Sequence, residues 1–346
     1  MNRWILAACL LLLAAAVLPA QTLPDFAPLE AAFQEFSDAV AGTVGSSAMS
    51  GLSWSPAYLG QFPHFGIGFS AGAAVIPCEA IAPLLAEIGE TLPTDLAFVE
   101  TFGIPLPSAV IDARIGGFGI PFDIGLKFGF IPESAKAAMG DVRVDHLAAG
   151  GDVRFAILQD KGWVPGLSIG AGYSYLKGGI HIAGVTGEDT TVDITDLMTN
   201  PLYGGKPPGV YELVYSDPDL DLTWESHTVE AKVQLSKTLL IFTPHVGFGA
   251  AYSFISSADG LIESLVSYLE DGSPGNMDDV EAAFIAYGET PPADVAILAN
   301  SSAPGWALRV FGGTSVNLWV LRVDLDAYYN VLTGAYGGNV NLRVEL

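Results

Sequence analysis

Apolar residues alternate with small or polar ones over much of this chain. Leu167, Ile169, Ala171, Tyr173 and Tyr175 are separated by Ser168, Gly170, Gly172 and Ser174. Leu321, Val323, Leu325, Ala327, Tyr329 and Val331 alternate with Arg322, Asp324, Asp326, Tyr328 and Asn330. The chain closes on Val340, Leu342, Val344 and Leu346 against Asn341, Arg343 and Glu345. Successive strand side chains point to opposite faces, so each run predicts a strand with one apolar face. Two architectures use such strands: a soluble antiparallel sheet over a core, and a membrane barrel with lipid outside and water inside.

The period predicts ten strands, at about 63–76, 106–119, 121–132, 141–159, 164–184, 219–236, 238–256, 303–316, 317–332 and 336–346. Residues 209–216 and part of 42–60 leave counts of twelve to fourteen open. The links near 120, 160–163, 237 and 316 are short, whereas 77–105, 133–140, 185–218 and 257–302 are mostly long. Outer-membrane barrels show that asymmetry, with short periplasmic turns and long external loops. Tyr173, Tyr175, Tyr252, Phe254 and Tyr329 fall near the long-loop ends of their strands, and Trp163 and Trp319 at short turns. They predict two aromatic girdles at the lipid–water interfaces. The fold class is therefore all-β, an antiparallel transmembrane β-barrel occupying residues 63–346.

Two regions depart from the period of two. Phe26, Leu29, Phe33, Phe36 and Val40 share one helical face behind Asp25, which predicts a helix over 25–40. Residues 21–62 thus make a hatch-like segment, either a plug for the lumen or a short periplasmic anchor. In loop 257–302, Leu261, Leu265, Tyr268 and Leu269 share one helical face, and Val280, Phe284 and Tyr287 another. Ile81, Leu84, Leu85 and Ile88 have similar spacing. These predict amphipathic helices over the barrel mouth, packed on each other or forming a shallow groove for an apolar solute.

The chain begins like a secretory signal over residues 1–20, with Arg3 ahead of an apolar run from Ile5 to Val17 and cleavage expected after Ala20. Cys9 leaves with it, so Cys78 has no intramolecular partner. No later apolar run approaches the ~20 residues of a spanning helix. The chain is 50% hydrophobic and 15% charged, with a net charge of −24 that becomes −25 on loss of Arg3. Nucleic acid is excluded as a partner at that charge. The expected location is the bacterial outer membrane, and the expected partners are its lipids, the barrel-assembly machinery and a small hydrophobic solute.

With the apolar face outward, the inward face carries Asp112, Arg114, Lys127, Asp152, Arg154, Arg309, Arg322, Asp324 and Arg343, with Glu230 and Lys232 among them. Such charges are costly in a soluble core and tolerable in a wet lumen, where they either line the wall or form a selectivity constriction. Pro244 lies inside a good strand with no edge to sit on, which predicts a bulge or local break and a candidate lateral opening. His245 beside it is expected to face the lumen. No nucleophile elbow or zinc-binding helix motif occurs, so no enzyme, metal or cofactor is expected.

Tyr58-Leu59-Gly60-Gln61-Phe62-Pro63-His64-Phe65-Gly66, with Gly117-Phe118-Gly119-Ile120-Pro121-Phe122-Asp123-Ile124-Gly125, resembles treponeme-type spirochaetal outer-membrane proteins. Those are similar in turn to long-chain fatty-acid transporters of the FadL class. The resemblance implies a hatch, external helices that catch a hydrophobic substrate, and a lateral opening at a kinked strand. Leu261, Leu265, Leu269, Phe284 and His245 are then the candidate substrate contacts. The expected function is a channel or transporter for small hydrophobic solutes such as fatty acids, with a general porin or a surface adhesin as alternatives.

Overall fold

The computed structural model describes residues 27–57, 64–80, 82–83, 103–117, 119–131, 142–184 and 189–346. Helix α1 (Ala27–Ala48) is followed by strands β1 (Phe65–Ile76), β2 (Ile104–Gly116), β3 (Phe122–Phe130), β4 (Val142–Leu158) and β5 (Gly166–Ile182). Then come β6 (Thr190–Asp193), a short helix α2 (Thr195–Thr199), β7 (Tyr211–Tyr215), β8 (Asp219–Ser236) and β9 (Phe242–Ser264). The chain ends with β10 (Val266–Glu270), β11 (Ser273–Pro274), α3 (Met277–Tyr287), β12 (Val295–Ser302), β13 (Gly305–Leu318), β14 (Leu321–Asn330) and β15 (Tyr336–Glu345).

Strands β1, β2, β3, β4, β5, β8, β9, β13, β14 and β15 pair in that order, all antiparallel. β1 then pairs back onto β15, from Gly66↔Glu345 to Val75↔Tyr336, and closes a ten-stranded barrel. Parity puts Ile67, Phe69, Ile111, Leu126, Phe128, Ile169, Phe248 and Leu342 on the outside, where each is exposed. A continuous apolar band of this kind is unsuited to water and suited to lipid. Trp163 and Trp319 are almost fully exposed at short turns, and Tyr252, Trp306 and Tyr329 mark the opposite rim.

The lumen is filled by residues 27–57, so of the two readings left open for the N-terminal segment the plug holds and the periplasmic anchor does not, and the charged inner face is not lined by water alone. Phe33, Phe36, Val40, Val44 and Ala48 of α1 pack against inward Ala74, Ile76, Leu106, Val110, Leu176, Leu222, Trp224, Ile297 and Ala299. A 22-residue helix is ~33 Å long, about the thickness of the hydrocarbon core. It also runs beyond the predicted end at residue 40. Gly42 and Gly45 are poor helix formers. A Cβ at Gly45, however, would lie 2.3 Å from Ser253 Oγ, so the absence of one lets the helix lie against β9. Packing within the barrel overrides local propensity here.

The helix expected over 261–269 is strand instead. β9 continues to Ser264, with Leu261 paired to Asp221 of β8 and to Leu298 of β12, and β10 follows. A spacing of four residues puts side chains on one helical face, but also on one strand face, because four is even. The predicted break at Pro244 is also absent: β9 and β13 stay in register through Gly313↔His245, Thr314↔Pro244 and Ser315↔Thr243. Pro244 O accepts from Lys237 N at 3.1 Å, so the missing N–H faces the β8–β9 turn, one position past the end of their ladder. The irregularity of this strand lies at Phe254. Against β8 the register shifts there from Thr228↔Ser253 to His227↔Ile255, and against the other neighbour from Gly305↔Ser253 to Ser302↔Ser257.

Beyond that bulge the two longest loops build a unit of their own. β7 pairs with β10, with β6 and β11 outside them, and α2 and α3 complete it. Val192, Ile194, Met198, Tyr211, Leu213, Tyr268, Val280 and Ala283 form its core. Asn276 caps α3 by accepting from Asp278 N, and Gly288 ends it at φ 93°. The helix expected from Val280, Phe284 and Tyr287 is present, and it packs on β10 and α2. The helical spacing at Ile81, Leu84, Leu85 and Ile88 lies outside the described residues, as do the signal segment and most of the resemblance motif at 58–63.

Candidate functional site

Residues 27–57 form a strap that descends the barrel. At the long-loop end, Gln34 Nε2 donates to Asn300 O at 2.8 Å and Ser301 Oγ to Asp38 Oδ1 at 2.6 Å. The Phe33 ring occupies the space that a Cβ on Gly260 would fill. Midway, Ser256 Oγ donates to Ala41 O at 2.5 Å and Asn330 Nδ2 to Ser46 Oγ at 3.3 Å. Near the short turns, Trp54 Nε1 donates to Asp112 Oδ1 at 2.8 Å and Ala57 N to Ser236 Oγ at 2.8 Å.

The lower strap has left the helix, so its carbonyls lack intrahelical donors. The wall supplies them. Lys127 Nζ donates to Ala48 O at 2.6 Å and Ser50 O at 2.5 Å. Arg154 reaches Pro56 O at 2.6 Å, and Gln234 Nε2 reaches Trp54 O and Ser55 O, both at 2.9 Å. Asp324 accepts from Ser55 N at 3.3 Å. Gly51 and Leu52 turn the strap through left-handed backbone, at φ 82° and 58°.

The nine predicted lumen residues all face inward, and all but Arg322 are buried. They pair with each other and with the strap. Arg114 bridges Asp123 and Asp152, Arg154 also binds Asp123, and Lys232 Nζ lies 2.9 Å from Asp152. Arg343 pairs with Asp324, Arg309 with Glu230, and Arg322 with Glu345 at 2.7 Å. Removing one partner of such a buried ion pair is costly, because it leaves the other charge buried and alone.

The five predicted substrate contacts are not brought together. His245 lies near the short turns, its Nε2 2.8 Å from Asp326 Oδ1. Leu261 is on the extension of β9, Leu265 is exposed in the link to β10, and Leu269 and Phe284 belong to the outer unit.

Sequence reasoning did not find a cavity between β2 and β4. β3 is short, and its pairing with β2 stops at Ile111↔Phe128. Above that level β2 continues to Ile104 and β4 to Val142, and Ile131 N, just past the end of β3, donates to His146 O at 3.3 Å. A cavity of about 250 Å³ opens there, lined by Gly72, Ser108, Ala109, Val144, His146 and Trp224 among others. Gly72, Ser108 and His146 lie on lumen-facing positions, whereas Ala71, Pro107 and Asp145, also in the lining, are exposed on the outer face. The strand spacing read from the sequence, 121–132 and 141–159, carries no sign of the cavity; in the structure β3 has 9 residues and β4 has 17.

No family model and no curated protein matches the chain. Among solved structures it is similar to the translocator domain of autotransporter NalP from Neisseria meningitidis, at 9% identity over 88% of this chain and 93% of that one, TM-score 0.28. It is similar to the transport unit of the autotransporter AIDA-I from Escherichia coli, at 11% identity over 92% and 99%, TM-score 0.31. A FadL homologue from Pseudomonas aeruginosa overlaps at 9% identity over 90% and 97%, TM-score 0.25. The third shares its class with the resemblance drawn from the sequence, and none of the three comes from a spirochaete. Overlaps this shallow carry no argument about function; the closed hydrogen-bond register is what establishes the barrel.

Proposed function

We propose that this chain is an outer-membrane barrel that admits small apolar solutes, such as fatty acids, through the side of its wall. The observation that carries this reading is the cavity between β2 and β4, which has lining residues on both the outer and the lumen face. Its volume is below that of pockets for drug-sized ligands, so it suits a narrow apolar molecule. The strap favours a lateral route over an axial one, because residues 27–57 occupy the lumen that a general porin keeps open. The protein needs no cofactor and performs no covalent step.

Liposomes containing the purified protein are expected to take up a fluorescent fatty acid, and Ser108→Trp, which fills the cavity, is expected to abolish that uptake with barrel mobility on gels unchanged. Uptake of sugars without uptake of fatty acid sinks the proposal and leaves a general porin.

A second reading rests on the outer unit. Residues 189–217 and 265–294 hold twelve Asp or Glu and one Lys or Arg, Lys206, around a core of their own. That composition favours a surface for a cationic partner. Loss of adhesion with unchanged permeability, on replacing 265–294 by a short turn, distinguishes this reading from transport.

A further inference from the structure

The strap and β1 run in opposite directions. Ala57 binds Ser236 at the short-turn end, where Phe65 also starts β1. Gln34, 23 residues earlier, binds Asn300 on β12, on the far side of the Phe254 bulge. The strap therefore runs toward the short turns and β1 runs back from them, so the start of α1 and the end of β1 both point toward the long loops. We infer that the barrel holds the N-terminal end of α1 at the external face of the membrane, beside the outer unit and opposite the short turns. The inference rests on the outer-membrane reading, in which short turns face the periplasm.

An N-terminal secretory signal delivers the chain to the periplasmic side, so this end has to cross the membrane inside its own barrel. It cannot be pushed through afterwards. A Cβ would lie 2.4 Å from the Phe33 ring at Gly260, 2.3 Å from Ser253 Oγ at Gly45, and 2.7 Å from the Trp54 ring at Gly66. Helix, strap and wall are in close contact at these three levels, which leaves no room there for threading side chains of this size.

The test is labelling of intact cells with a membrane-impermeant maleimide, in a Cys78→Ser background. Glu30→Cys, in the exposed first turn of α1, reports the strap end; Leu202→Cys reports the outer unit; Trp163→Cys reports the short turns. Labelling of Glu30→Cys to the extent of Leu202→Cys, with Trp163→Cys silent until the outer membrane is permeabilised, is the expected result. Protection of Glu30→Cys in cells where Leu202→Cys reacts overturns the inference alone. Labelling of Trp163→Cys in intact cells, with Leu202→Cys silent, overturns the assignment of the external end and the inference with it. Ala31→Cys, exposed on the same turn, replaces Glu30→Cys if that variant loses its heat-modifiable mobility.

Discussion

Arg343 sets its guanidinium 4.4 Å from the centroid of the Trp54 ring. Arg114 approaches the same ring at 5.7 Å, and Asp112 accepts the indole N–H. One strap side chain thus joins β2 and β15, which are both neighbours of β1 at the closing seam. Trp54 is fully buried, so Trp54→Ala removes a large packed ring and leaves two guanidinium groups without their aromatic partner. The expected cost is about 3–5 kcal/mol. The strap is expected to loosen, which planar-bilayer recording reads as new ionic conductance. Trp54→Phe keeps the ring and loses the donor to Asp112, for roughly 1–3 kcal/mol and a smaller leak.

Lys127 holds the strap by its backbone. Its ammonium is shared between the carbonyls of Ala48 and Ser50, where the helix ends and the turn at Gly51 begins. Lys127→Met keeps the aliphatic stem and leaves both buried acceptors unpaired, at roughly 1–3 kcal/mol each. Hydrogen exchange of amides 48–52 is expected to accelerate while the barrel strands stay protected. Unchanged exchange there would show that the strap is held by its side chains alone.

Most of the wall was legible because the pattern of each strand depends on itself. Leu321 to Asn330 alternate whatever lies beside them, and the structure places them as read. The occupant of the lumen was not legible from the wall. Arg154 and Lys127 suit water, a counter-ion or a carbonyl equally well, and only the descent of residues 48–57 past them decides. Leu261, Leu265 and Leu269 misled because a repeat of four fits a helix and a strand alike. The cavity between β2 and β4 depends on how far each strand runs beside β3, a relation between neighbours that no single segment records. At Pro244 the rule about proline was sound, but the β8 ladder ends at Ser236, one position short of needing its N–H.

Two short turns are pinned together by Asp160 and Lys237. The Lys237 ammonium binds the Asp160 carboxylate and donates to Gly162 O at 2.6 Å, and Thr238 N donates to Asp160 at 2.7 Å. Burial works to raise the Asp160 carboxyl, but the hydrogen bonds from Lys237 and Thr238 outweigh it and hold the group below the ordinary carboxylate value. A lowered folded pKa contributes stability that is present above the unfolded value of ~3.9 and lost as pH falls through the folded one. Asp160→Asn is expected to flatten the acid limb of thermal unfolding below about pH 4, by at most about 1 kcal/mol for so exposed a pair. An acid limb that is identical in the variant sinks this assignment.

The outer unit is expected to fail from the alkaline side, through Tyr268 and Lys206. The Tyr268 hydroxyl is buried with no hydrogen-bond partner among the described residues, while its ring stacks on Tyr211 at 6.4 Å. Burial, with the Glu270 charge adding, pushes its phenol up to about 12. The Asp279 hydrogen bond, at 2.6 Å, holds the Lys206 ammonium above its ordinary value against a smaller effect of burial, and Glu270 adds to it. Both folded values are raised, so their stability is fully present below the unfolded values of ~10 and is lost as pH rises through the folded ones. Tyr268→Phe keeps the stack and removes a buried unpaired hydroxyl. It is expected to stabilise the unit by about 1 kcal/mol at neutral pH and to delay its alkaline opening. Hydrogen exchange of the β7 and β10 amides, measured on the whole protein between pH 7 and 9, reads the first effect. Loss of near-ultraviolet tyrosine signal above pH 10 reads the second. A Tyr268→Phe variant that exchanges faster than the parent would mean that the hydroxyl has a partner that stabilises the fold.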